Sequence, residues 1–106
     1  MSKAIFYCEY KLKKSASVED FLEASEKLNN EYISKQNGYI SWEQWNDGAV
    51  WIDAIAFESM EDAKGFEEKS NANPNELAVA FYSFINLMSC KVRYYSVKQA
   101  YGGTNK

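Results

Sequence analysis

The ten residues from Ala54 to Ala63, AIAFESMEDA, constrain this chain more than any other stretch. Their first half is apolar, as in a buried strand, and their second half is acidic and helix-forming. Ser59 stands at the change with Asp62 three residues on, the spacing of a capping box, and Glu61 adds negative charge at the positive end of the helix. A strand that runs directly into a capped helix fixes where a sheet ends and where a helix begins to cover it.

The other elements follow on either side of this junction. Asn46-Asp47-Gly48 favours the positive backbone angles of a tight turn, so Tyr39–Trp45 and Ala49–Phe57 are expected to pair as an antiparallel hairpin. Ala4–Lys13 reads as a first strand, with Phe6, Cys8, Tyr10 and Leu12 on one face and Ile5, Tyr7 and Glu9 on the other. Ser17 and Asp20 cap a first helix expected from about Val18 to Lys35, and Gly38 suits the left-handed residue that closes it. Downstream, the run from Asn71 to Glu76 breaks the second helix. Pro74 then fits the first position of a third helix capped by Asn73, with a core stripe of Leu77, Phe81, Phe84, Ile85 and Met88. A last strand is expected over Cys90–Gln99. Residues 1–101 are expected to form one domain and 102–106 a disordered tail.

The order strand, helix, strand, strand, helix, strand is the ferredoxin-like βαββαβ pattern: an α+β fold with its helices on one face of a four-stranded antiparallel sheet. The strands are bulky on both faces, and three Trp, eight Tyr and six Phe need more cover than two helices give. The economical cover for the open face is a second copy, so a homodimer is expected, with Trp42 or Ile40 at its interface. A net charge of −3 with interspersed signs argues against a nucleic-acid partner. No run approaches the ~20 apolar residues of a membrane span and no signal segment leads the chain, so the expected location is cytoplasmic, without a membrane partner. Cys8 and Cys90 are expected as free thiols. The chain has no histidine, which excludes Ser-His-Asp and Cys-His catalysis and removes the usual ligand of zinc and haem iron.

From Ile5 to Val97 the chain resembles the dimeric α+β barrel proteins of the antibiotic-biosynthesis monooxygenase type. The resemblance is carried by the element order and by Phe57-Glu58-Ser59-Met60-Glu61-Asp62-Ala63, since members of that family commonly run from third strand to helix as an aromatic residue, Glu, Ser and an acidic, alanine-containing turn. It implies a ligand cavity between helices and sheet within each subunit, and an activity that needs neither cofactor nor metal. On the third strand, Trp51, Asp53, Ile55 and Phe57 share one face by alternation. An ungapped match to the haem-degrading branch of the family places Glu9 where that branch has a reactive-site asparagine, with Tyr7 on the same side. Phe57 replaces that branch's tryptophan and its iron-binding histidine is missing, which argues against haem degradation.

Two functional classes are open at this level. One is a cofactor-independent monooxygenase acting on a phenol- or quinol-type compound. Glu9 or Asp53 would be its base if burial raises the pKa, and Tyr7, Trp51, Ile55 and Phe57 would line the ligand site. The other is a non-catalytic small-ligand-binding protein or dimeric scaffold, in which the aromatics fill the core and Glu9 pairs with Lys91 or Arg93.

Overall fold

The computed structural model describes residues 2–103. Its strands are β1 (Ala4–Leu12), β2 (Tyr39–Asn46), β3 (Trp51–Phe57) and β4 (Ile85–Ser96), and its helices are α1 (Val18–Glu31), α2 (Met60–Ala72) and α3 (Glu76–Tyr82). The strands form one antiparallel sheet in the order β2-β3-β1-β4, the ferredoxin-like arrangement. One face of the sheet carries the buried core, including Phe6, Tyr10, Ile55 and Phe57, packed against Phe21 and Leu28 of α1 and Phe81 of α3. No helix among the described residues is long and apolar enough to cross a membrane.

The junction at Ser59 shows why strand and helix can abut. Extended backbone continues through Ser59, at φ −151° and ψ 162°, so the residue that ends the strand is already in N-cap geometry. Its hydroxyl accepts from the Asp62 amide at 3.1 Å and donates to Asp62 Oδ2 at 3.0 Å. Ser17 caps α1 in the same way, accepting from the Asp20 amide.

Strand ends shift by up to five residues from expectation, β4 running Ile85–Ser96 in place of Cys90–Gln99, and the helices differ too. The first helix stops at Glu31 and passes through a 3-10 turn, Ile33–Lys35, before β2. The third helix begins at Glu76, capped by Asn75 and not Asn73. A residue before proline is pushed away from helical angles, and Asn73 instead ends α2 at φ −134° and ψ 81°. The helical spacing read through Phe84, Ile85 and Met88 is a coincidence. Ile85 already lies in β4, and Met88 is 94% exposed at a bulge where Ser89 Oγ accepts from the Lys11 amide. Of the expected tail, residues 104–106 lie outside the described residues; Gly102 and Gly103 are exposed and belong to no helix or strand.

Candidate functional site

Asp53 is the unusual residue of the helix-facing side. It sits on β3, an interior strand, between Cys8 of β1 and Gln44 of β2, and is 5% exposed. A carboxyl in such a place has lost most of its hydration, and the loss falls on the charged form. Burial pushes its pKa up to about 7, against the opposing pull of nearby Tyr10, Trp42 and Gln44. Tyr10 donates to Asp53 Oδ1 at 2.9 Å, and burial raises the Tyr10 hydroxyl's own pKa, so this group remains a donor. The Gln44 amide donates to Ser25 Oγ at 3.0 Å, and Ser25 in turn donates to the Phe21 carbonyl, tying the polar cluster to α1. The Trp42 indole N–H lies near enough to hold the Asp53 pKa down but forms no hydrogen bond, a buried donor without a protein partner.

Asp53 and Trp42 line a cavity of about 40 Å³ between helices and sheet. Its other walls are apolar, among them Phe6, Ile55, Phe66 and Phe81, and its rim includes Tyr32, Ser70 and Tyr82. The Tyr32 and Ser70 hydroxyls lie 3.1 Å apart and join the end of α1 to α2, whereas Tyr82 is 43% exposed. Cys8 also lines the cavity. Burial, and after it the Asp53 charge, raises the thiol's pKa, so it stays protonated and is a poor nucleophile. Both cysteines are free.

The structure gathers some of the residues singled out from the sequence and separates others. Asp53 and Ile55 meet at the cavity. Trp51 and Phe57 share their face but stand behind the walls, Trp51 against Phe21 at 5.1 Å between ring centroids and Phe57 against Phe66 at 5.4 Å. Tyr7 and Glu9 are not beside Asp53. The register pairs Cys8 with Asp53 and Tyr7 with Ala54, so Tyr7 and Glu9 project from the opposite face, where the Tyr7 hydroxyl donates to Glu9 Oε1 at 2.9 Å. Trp42 is likewise displaced from the expected interface. It pairs with Ile55 and packs on Phe81, so it belongs to the cavity. Phe6, Tyr10, Trp42 and Gln44 were the missed members. The alternation of β1 already placed Phe6 and Tyr10 on one face, and only the register with β3 tells which face receives Asp53.

No family model matches the chain and no curated protein does. Solved structures do. SnoaB, a cofactor-independent oxygenase from Streptomyces nogalater, superposes with a TM-score of 0.70 at 8% identity over 94% of this chain and 97% of its own. The monooxygenase ActVA-Orf6 of Streptomyces coelicolor, solved with nanaomycin D, gives 0.68 at 18% identity over 97% and 94%. A dimeric ferredoxin-like protein from an uncultured marine organism gives 0.71 at 11% identity over 95% and 100%. The fold of this chain is therefore the ferredoxin-like one that these solved structures share.

Proposed function

We propose that the chain is a cofactor-independent monooxygenase that admits a small phenol- or quinol-type ring between helices and sheet, with Asp53 as the general base. The observation that supports this reading most is the carboxyl itself. It lines a mostly apolar cavity, and the groups that pull its pKa down are all neutral, namely Tyr10, Trp42 and Gln44. Stability alone gives little reason to keep it there, because an apolar side chain of similar size avoids the cost of burying a charge.

A base titrating at about 7 is matched to proton transfer at neutral pH. Asp53 takes the proton of a ring hydroxyl, and the electron-rich phenolate then reduces dioxygen. A quinol supplies all four electrons required: one oxygen atom enters the ring to give a hydroxyquinone, and the other leaves as water. The chain's part is to bind the ring, hold the proton and exclude water, the last through Phe6, Ile55 and Phe81. Tyr10 acts through Asp53 as a positioning residue, fixing one carboxyl oxygen.

The cavity of about 40 Å³ is smaller than the ~150 Å³ of an engineered cavity that holds benzene. Ring binding thus requires outward movement at the rim, where Tyr82 is half-exposed and packs edge-on against Phe81. The same small volume favours a second reading, a non-catalytic dimeric module whose core is simply well filled. The homodimer is common to both. Ile5, Ile52 and Ala54 lie on the open face of the sheet beside the exposed Trp45 and Tyr95, and two solved neighbours are described as dimeric. Tyr7 and Glu9 fall on this interface. The unit is residues 1–101, and its free thiols suit the reducing cytoplasm.

Oxygen uptake with simple quinols, corrected for autoxidation, separates the two readings. Protein-dependent uptake that is lost in a folded Asp53→Asn variant supports the enzyme. Absence of uptake with any quinol, or uptake equally fast in the variant, removes Asp53 as base.

A further inference from the structure

The cavity holds a donor and an acceptor side by side, and this pairing says more about the ligand than ring size does. Trp42 Nε1–H is buried and has no hydrogen-bond partner. An unpaired buried donor is costly and uncommon in folded proteins. Asp53 shares the same cavity, and Tyr10 engages only its Oδ1, leaving Oδ2 as a second acceptor. Trp42 is fixed in place by its register opposite Ile55 and by its edge-to-face contact with Phe81, ring centroids 5.7 Å apart. Its N–H therefore cannot reach solvent without disrupting the wall it helps to build.

We infer that Trp42 and Asp53 together recognise a single aromatic ring bearing oxygen substituents on neighbouring carbons, a catechol-type ligand. One oxygen keeps its proton and donates to Asp53, and its neighbour accepts from Trp42 Nε1–H. A ring with one hydroxyl satisfies the carboxyl and leaves the indole unpaired. A polycyclic ring system asks for far more room than a cavity of about 40 Å³ can gain from one rim side chain. The inference rests on the proposed use of this cavity as a ligand site and adds the substitution pattern of the ring.

Guaiacol, with one hydroxyl and one neighbouring methoxy acceptor, and phenol, which lacks that acceptor, test it by calorimetric titration of the full chain. One added hydrogen bond to a buried donor is expected to make guaiacol bind roughly tenfold more tightly than phenol. Trp42→Phe keeps an aromatic ring against Phe81 and removes the N–H. It is expected to abolish the preference, bringing the ratio of the guaiacol and phenol affinities to about one, whatever the lost wall volume does to both. The Trp42 indole proton resonance of the wild type gives a readout that needs no variant: it moves downfield with guaiacol and not with phenol. Equal affinity for the two probes in the wild type, or a preference that survives in Trp42→Phe, overturns the inference while leaving the cavity a ligand site. Failure of both probes to bind overturns the inference together with the reading beneath it.

Discussion

Replacing Asp53 by Asn tests the burial of the carboxyl through stability alone, with no ligand required. The folded protein holds this proton up to about pH 7, whereas the unfolded chain releases it near the ordinary value of 3.8. Between those limits the folded state binds more protons than the unfolded state, so stability falls as pH rises. The contribution is fully present below the ordinary value, is lost progressively up to about pH 7 and is level above it. A rise of roughly three pH units at about 1.36 kcal/mol each gives about 4 kcal/mol. Asn does not titrate and keeps an acceptor for Tyr10, but it brings an amide with two donors into the site, at a cost of about 1–3 kcal/mol wherever they stay unpaired. Near pH 4 the variant is thus expected to be the less stable protein, and by about pH 8 it overtakes the wild type. Urea melts of both proteins across this range give the difference directly, with other titrating groups cancelling between them. A stability difference that stays flat from about pH 4 to about pH 8 refutes the reasoning, because Asp53 would then titrate as a solvated carboxyl.

Three further perturbations address the scaffold. Ser59→Ala removes the cap at the strand-to-helix junction and should cost about 1 kcal/mol, seen as a fall of about 4 °C in Tm; no change would mean that the cap is not what starts α2. Gly38→Ala should be far more damaging than Gly48→Ala, although both positions have positive φ. At Gly38 the new Cβ would press into the Asp62 side chain, 2.8 Å from its Cβ, while nothing lies within 4 Å at Gly48; equal losses in the two melts would contradict this. Ile52→Glu places a charge on the open sheet face and should halve the mass measured by light scattering while leaving the fold intact, whereas an unchanged mass would move the interface elsewhere.

The fold was readable because its punctuation is local. Ser17 and Ser59 each act within a few residues and cap the helices their chemistry suggests, while Gly38 takes the positive φ expected of it but leads into β2 and does not close α1, which ends at Glu31. The site was less readable because it depends on register between strands distant in sequence. With large side chains on both faces of β1, alternation cannot tell whether Tyr7 and Glu9 or Cys8 and Tyr10 will stand beside Asp53, and a slip of one residue exchanges the sets. Trp42 was misplaced for a similar reason. The β2 register shifts between Tyr39 and Ser41, and a bulge there reassigns every face beyond it. Met88 shows the converse error, in which a helical period ran by chance across a turn into a strand.

The central claim is that Asp53 is a proton-accepting group in a cavity that admits a ring. It is tested most directly by following the side-chain carboxyl carbon resonance of Asp53 through a pH titration, with and without catechol. The account predicts a midpoint at about 7 in the free protein and a shift of that midpoint when catechol is added. A midpoint near 3.8, unmoved by catechol, would contradict it, because the buried carboxyl would then be charged at neutral pH and indifferent to the ring.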